Sequence, residues 1–333
     1  MSEIPLLLIV IVLTALVFDF TNGAHDCANA IATVVSTKVV TPRFAVGAAA
    51  LLNLAGALLG TEVAKTLGGG IVQHQVVAGS HVLVLAALAG AIAWNCITWY
   101  YGIPSSSSHA LIGGLVGAAI SEAGFMALNI QGIVEKVLIP LIASPLAGYA
   151  AGFVLMWGVY WLCARMHRKR VNTVFRRLQL FSAAFMATSH GMNDAQKTMG
   201  IVTLALLIFG EIDSVEVPLW VKLACACAMC LGTAFGGWKI VKTMGSRIFK
   251  LEPVHGFAAE TSAALVITGA SLLGAPISTT HTISSAIFGV GSTRRLSAVR
   301  WNVANSMLTA WVLTLPAAGI IGFIAGRLLR AVL

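Results

Sequence analysis

The sequence predicts an all-α polytopic membrane protein: two inverted-topology repeats with broken helices and Ser/Thr-rich re-entrant hairpins. Three observations predict it. Long stretches carry no charge, two polar motifs each occur twice in the same order, and the loops after the two copies carry opposite charge.

Of the 333 residues, 58% are hydrophobic and 10% charged, with a mean hydropathy of +0.90. Soluble domains carry about 25% charged residues. Residues 82–102, 103–121, 137–164, 261–293 and 302–326 contain no charge at all, and a helix of roughly 20 apolar residues crosses a bilayer. A water-soluble enzyme is excluded on these numbers, and the lipid bilayer is the expected surrounding. The net charge of +9 does not read as a nucleic-acid patch, because six of the cations fall without an acid between Arg165 and Arg177. Such an excess in a hydrophilic break marks a cytoplasmic loop. The first apolar run lacks a cationic flank, so it is not read as a cleavable signal peptide. Cys225, Cys227 and Cys230 have no His or acid at ligand spacing, which argues against a zinc site. No resident cofactor is expected.

The motifs divide the chain. Gly23-Ala-His-Asp26-Cys-Ala-Asn29 lines up with Gly191-Met-Asn-Asp194-Ala-Gln-Lys197, 168 residues on. Pro104-Ser-Ser-Ser-Ser-His109 lines up with Pro276-Ile-Ser-Thr-Thr-His281, 172 residues on. Two motifs in one order at nearly one spacing make a duplication: a first repeat over 1–164, a basic linker over 165–177, and a second repeat over 178–333. Lys38 and Arg43 follow the first motif, whereas Glu211, Asp213 and Glu216 follow its copy. Glu62 and Lys65 cancel where Lys239, Lys242, Arg247 and Lys250 stand in the second half, and Glu122 is matched by Arg294, Arg295 and Arg300. The cationic loop changes halves each time, so equivalent loops face opposite sides of the membrane. Inversion demands an odd number of crossings per half, and about five fit: 4–37 (broken), 44–61, 82–102, 105–120 and 137–164, then their counterparts. The N-terminus is then outside and the linker inside, with Arg327 and Arg330 as discordant cations on the outer side. Inverted repeats with interrupted helices are a common build of secondary transporters, with substrate near the midplane. No GxxxxGK[ST] loop is present, so nucleotide is not the expected driver.

The polar residues within the apolar runs carry the chemistry. A carboxylate there costs about 2.5–3.5 kcal/mol on insertion scales and is functional by default; Asp26 and Asp194 are such a pair. Gly23 and Gly191 are expected to let the helices open, with Asn22, Asn29 and Asn193 facing the gap. Ser105, Ser106, Ser107 and Ser108, and Ser278, Thr279 and Thr280, each follow a proline and begin an uncharged stretch. That describes helix N-termini inside the membrane, where free backbone N–H groups, hydroxyls and the helix dipole attract an anion. His25, His190, His109 and His281 neighbour these motifs, either as groups that titrate near neutral pH or as hydrogen-bonding spacers. Lys197 occupies the place of Asn29 in the copy and lies three residues beyond Asp194, on the same helix face. It either neutralises Asp194 or supplies a fixed positive charge in place of a bound cation.

With these residues in view, the chain resembles the PiT family of inorganic phosphate transporters over nearly its full length. Gly23-Ala-His-Asp-Cys-Ala-Asn-Ala and His190-Gly-Met-Asn-Asp-Ala-Gln-Lys look like the duplicated signature written GANDVANA. The resemblance implies an inverted-repeat secondary transporter, often a homodimer, that carries inorganic phosphate with a cation. It places Asp26, Asn29, Asn193 and Asp194 on signature positions and the hydroxyl runs on phosphate-binding hairpins. His25 departs from the signature's first Asn, Lys197 from the second copy's Asn, and Asn53 stands where sodium-coupled animal members carry a glutamate. These forms resemble bacterial low-affinity members coupled to H+ rather than Na+, which can take phosphate as a neutral complex with a divalent metal. The expected phosphate group is therefore Ser105 to Ser108, Ser278, Thr279, Thr280, Asn29, Asn193 and Lys197; the expected coupling group is Asp26, Asp194, His25 and His190. The expected place is a bacterial inner membrane, with a periplasmic N-terminus. Sulfate in place of phosphate, and sodium in place of protons, remain as alternatives. An intramembrane hydrolase built on Ser108 and Asp26 is remote, since no Gly-x-Ser-x-Gly elbow occurs.

Overall fold

The fold is taken from a computed structural model, which describes residues 5–69 and 80–332. The first half forms α1 (Leu6–Ser36), α2 (Pro42–Ala57), α3 (Glu62–Gly69), α4 (His81–Tyr101), α5 (Ser107–Ala123) and α6 (Ile130–Cys163). The second half repeats the series as α7 (Arg168–Ile208), α8 (Leu219–Phe235), α9 (Trp238–Arg247), α10 (Pro253–Leu272), α11 (Thr279–Arg294) and α12 (Trp301–Val332). Local chemistry sets several ends. Thr41 caps α2, its hydroxyl accepting the Phe44 N–H, with Pro42 in the first turn, where proline's missing N–H and fixed φ cost nothing. Glu252 and His255 close a reciprocal cap on α10. Gly102, at φ 68°, ends α4 in a left-handed turn that other residues avoid.

The outside is apolar and the centre polar. Trp157, Trp161, Leu146, Phe181 and Val312 are exposed, while Asp26, His190, Asp194 and Lys197 are buried. A chain so arranged is solvated by hydrocarbon.

The two halves interlock. α1 packs on α8 and α7 on α2; α5 packs on α12 and α11 on α6; α4 lies against α5 and α12 as α10 lies against α11 and α6. Each pairing in one half thus has its counterpart with the halves exchanged. Polar contacts also join distant parts of the chain. Arg168 pairs with Glu252 at 2.7 Å, Arg176 donates to the Lys38 carbonyl and Lys239 to that of Tyr100. Arg330 pairs with Glu122 at 2.5 Å, so one of the two discordant cations is neutralised.

The interruptions fall elsewhere than the sequence suggested. α1 runs unbroken through Gly23 and Asp26, and α7 unbroken through Gly191 and Asp194. The breaks come after α2, before α3, and at Gly236-Gly237, where α8 and α9 meet at 62°. Segments around Glu62 and Lys239, expected as loops, are the short helices α3 and α9. Gly23 and Gly191 serve close approach instead of opening. A Cβ on Gly191 would overlap the backbone of Asn53, and one on Gly23 the carbonyl of Met229. Gly191→Ala is therefore expected to cost about 1–3 kcal/mol by overpacking, read as a lowered unfolding midpoint of the purified protein. Gly158→Ala, whose Cβ would meet nothing within 4 Å, leaves the midpoint unchanged.

Candidate functional site

The two hydroxyl runs begin α5 and α11. Ser106 and Ser278 are the caps: their side chains accept the His109 and His281 N–H groups, each at 3.2 Å. The donors just before these, the N–H groups of Ser107, Ser108, Thr279 and Thr280, fall among the first four of a helix, which have no partner within it. The runs meet at the centre. The His109 and His281 rings lie 4.8 Å apart and His281 stacks on Trp311 at 4.0 Å; the Trp311 indole N–H donates to the Pro104 carbonyl at 3.1 Å.

Lys197 stands between these two helix starts. Its ammonium bonds Ser108 Oγ and Asp194 Oδ1 at short range and donates to the Ile277 carbonyl at 2.9 Å. It thus touches the first-half run and the residue before the second-half cap. Asp194 Oδ2 accepts from Thr279 Oγ1 at 2.9 Å and lies 3.1 Å from His190 Nε2. The other His190 nitrogen faces Asn53 Oδ1 at 3.2 Å, and Asn53 in turn donates to Thr233.

The first-half copy mirrors this. Asp26 Oδ1 receives His25 Nδ1 at 2.7 Å and Thr280 Oγ1 at 3.3 Å. The other ring nitrogen, His25 Nε2, faces the hydroxyls of Thr98 (3.1 Å) and Ser105 (3.3 Å). Asn29 donates to Thr280 Oγ1 at 2.9 Å and Thr279 Oγ1 at 3.3 Å, leaving its Oδ1 buried and without a partner. Each half's signature thus reaches the second half's hydroxyl run. Asp26, His190 and Asp194 bring ligand atoms within 4.8 Å of one another, so a cation has three candidate ligands here.

Not every expected residue joins the cluster. Asn193 turns away, donating to Ser271 at 2.8 Å; Ser106 and Ser278 are occupied as caps; Ser107 Oγ has no partner. The whole site is occluded, with Ser108, at 5%, the most exposed of the expected residues.

Two buried carboxylates escaped the sequence reading. Glu260 on α10 takes hydrogen bonds from Thr33, Ser182 and Gln179 (3.0 Å for the last), one helical turn beyond Asn29 on α1. Asp19 is completely buried on α1. Both are acids within an apolar run, as Asp26 is, and so are functional by default on the same grounds; neither carries a duplicated motif.

Comparison with known proteins gives the family and the fold likeness. The profile of the "Phosphate transporter family" matches residues 22–169 and 163–322. A Bacillus subtilis (strain 168) protein named "Probable low-affinity inorganic phosphate transporter" is 49% identical over 333 residues, all of both chains. A Rhizobium meliloti (strain 1021) protein of the same name is 50% identical over 317 residues, covering 95% of this chain and 94% of that one. A solved structure titled "The sodium-dependent phosphate transporter" superposes with a TM-score of 0.90 at 25% identity, covering 98% of this chain and 100% of that one.

Proposed function

This chain belongs to the phosphate transporter family, and on that premise we propose that it imports inorganic phosphate across a bacterial inner membrane by proton-coupled symport with alternating access. The observation that carries the reading is the meeting of two capped helix N-termini around the Lys197 ammonium, beside two buried carboxylates. Backbone N–H groups and hydroxyls of Ser107, Ser108, Thr279 and Thr280 hold the phosphate oxygens, and Asn29 and Lys197 complete the shell. Ser105 and the two capping hydroxyls, Ser106 and Ser278, support it from behind.

Charge supplies the reason for coupling. Asp26 and Asp194 are offset by one lysine, so the empty site is already net negative when both are ionised. A phosphate anion adds to that, and uncompensated charge away from water is strongly disfavoured. Positive charge must enter with the anion. Asp26 and Asp194, with His25 and His190 against them, carry it as protons or receive it as a cation; a divalent metal arriving as a neutral phosphate complex meets the same need. The sodium-dependent neighbour favours sodium as the second reading, and the lysine at position 197 favours protons, since it fills with a fixed charge what a sodium ion would fill.

The two halves form the inverted pair, with the N-terminus periplasmic and the basic 165–177 segment, which from Arg168 is the start of α7 rather than a loop, cytoplasmic, and the protein works as a homodimer. Proteoliposomes loaded with this protein are expected to take up radiolabelled phosphate, with no competition from excess sulfate. Strong sulfate competition would transfer the substrate to that anion. Ser108→Ala and Thr280→Ala are each expected to raise KM for phosphate about 10-fold, the loss of about 1.4 kcal/mol expected of one hydrogen bond to a charged ligand.

A further inference from the structure

Asp19 lies about two turns of α1 before Asp26. It is completely buried, and neither carboxylate oxygen has a hydrogen-bond partner. Beside it are Asn22 on α1, Thr198 on α7 and Cys225 on α8; the charged groups facing it among the described residues are Asp194 and Lys197, both on α7. Asn22 Oδ1 and Thr198 Oγ1 are themselves buried and unpartnered. Lys197 is committed to Asp194, Ser108 and the Ile277 carbonyl, so it does not pair with Asp19. The equivalent position in the second repeat is Ala187, so the shared architecture of the halves does not call for a carboxyl here.

An ionised carboxylate without a partner is strongly disfavoured in such a place. A hard metal ion asks for about six oxygen ligands, and three side chains in a packed interior supply too few. One proton removes that charge and leaves a carboxyl whose hydroxyl can donate to the unpartnered Asn22 Oδ1 and whose other oxygen can accept from the unpartnered Thr198 Oγ1. We propose that Asp19, held by Asn22 and Thr198, is a proton-binding site of the transport cycle, separate from the Asp26–Asp194 cluster. The inference rests on the proton-symport reading and deepens it. A bound anion adds negative charge nearby and favours protonated Asp19. Once the anion leaves, that added negative charge is gone, and proton release is less opposed. That is the sign symport requires.

The test has two arms on the full-length protein. In infrared spectra of purified protein at neutral pH, the carboxylic-acid C=O band is expected to lose a component in Asp19→Asn, shift in Asn22→Ala, and keep that component in Glu260→Gln. In proteoliposomes, Asp19→Asn is expected to retain phosphate exchange while its stimulation by an inward proton gradient is lost, and Asp19→Glu to restore it. An unchanged spectrum in Asp19→Asn overturns the proposal. So does a lost band with an intact gradient response, which makes the proton structural only. Should Asp19→Asn fail to fold, Asn22→Ala decides by the same two readouts. Absence of phosphate exchange in the wild-type protein would sink the phosphate reading and leave the infrared arm standing.

Discussion

Lys197→Met is expected to lower phosphate uptake about 100-fold, equivalent to about 2.7 kcal/mol, and to destabilise the fold by about 3–5 kcal/mol. The stability loss comes from Asp194, which keeps Thr279 and His190 but loses its counter-charge. The uptake loss comes from the site, because Lys197 is the cation that touches both the Ser108 run and the Ile277 carbonyl. The two effects separate in the double variant. Lys197→Met with Asp194→Asn removes both charges, so the unfolding midpoint recovers most of its value while uptake stays low. Equal recovery of both would mean that Lys197 only neutralises Asp194. Thermal unfolding and radiolabelled uptake on the same preparations decide it.

Asp26→Asn is expected to lose uphill accumulation of phosphate, at least about 10-fold under an imposed proton gradient, while exchange at equal concentrations on both sides changes less than about 2-fold. An amide can still receive the Thr280 hydroxyl and His25, the contacts that hold Asp26, so the fold and the passage of substrate survive. What it cannot do is gain and lose a proton. Asp194→Asn shares the coupling defect and also leaves Lys197 without its partner, so it is destabilised as well. If both variants accumulate phosphate as the wild type does, neither carboxylate couples.

Much of this site can be read from the chain because it is written twice. The duplication draws attention to Asp26 with Asp194 and to the serine run with Ser278, Thr279 and Thr280, and the proline before each run announces a helix start. The role of Gly23 and Gly191 is not legible in the same way. Glycine serves a helix that opens and a helix packed against a neighbour's backbone, and the choice depends on Met229 and Asn53, far away in sequence. α3 and α9 are short and charged enough to pass for loops until their packing on α7 and α1 is seen. Asp19 is missed for the opposite reason. Its counterpart is Ala187, so a search for repeated motifs passes over it, although its burial makes it as costly as Asp26.

The central claim is that protons drive phosphate into this occluded site, with Lys197 standing where a sodium ion would bind. The most direct measurement is radiolabelled phosphate uptake into proteoliposomes under independently imposed proton and sodium gradients. An inward proton gradient with sodium absent is predicted to drive accumulation, and an inward sodium gradient at equal pH to drive none. Uptake that requires sodium would contradict the account.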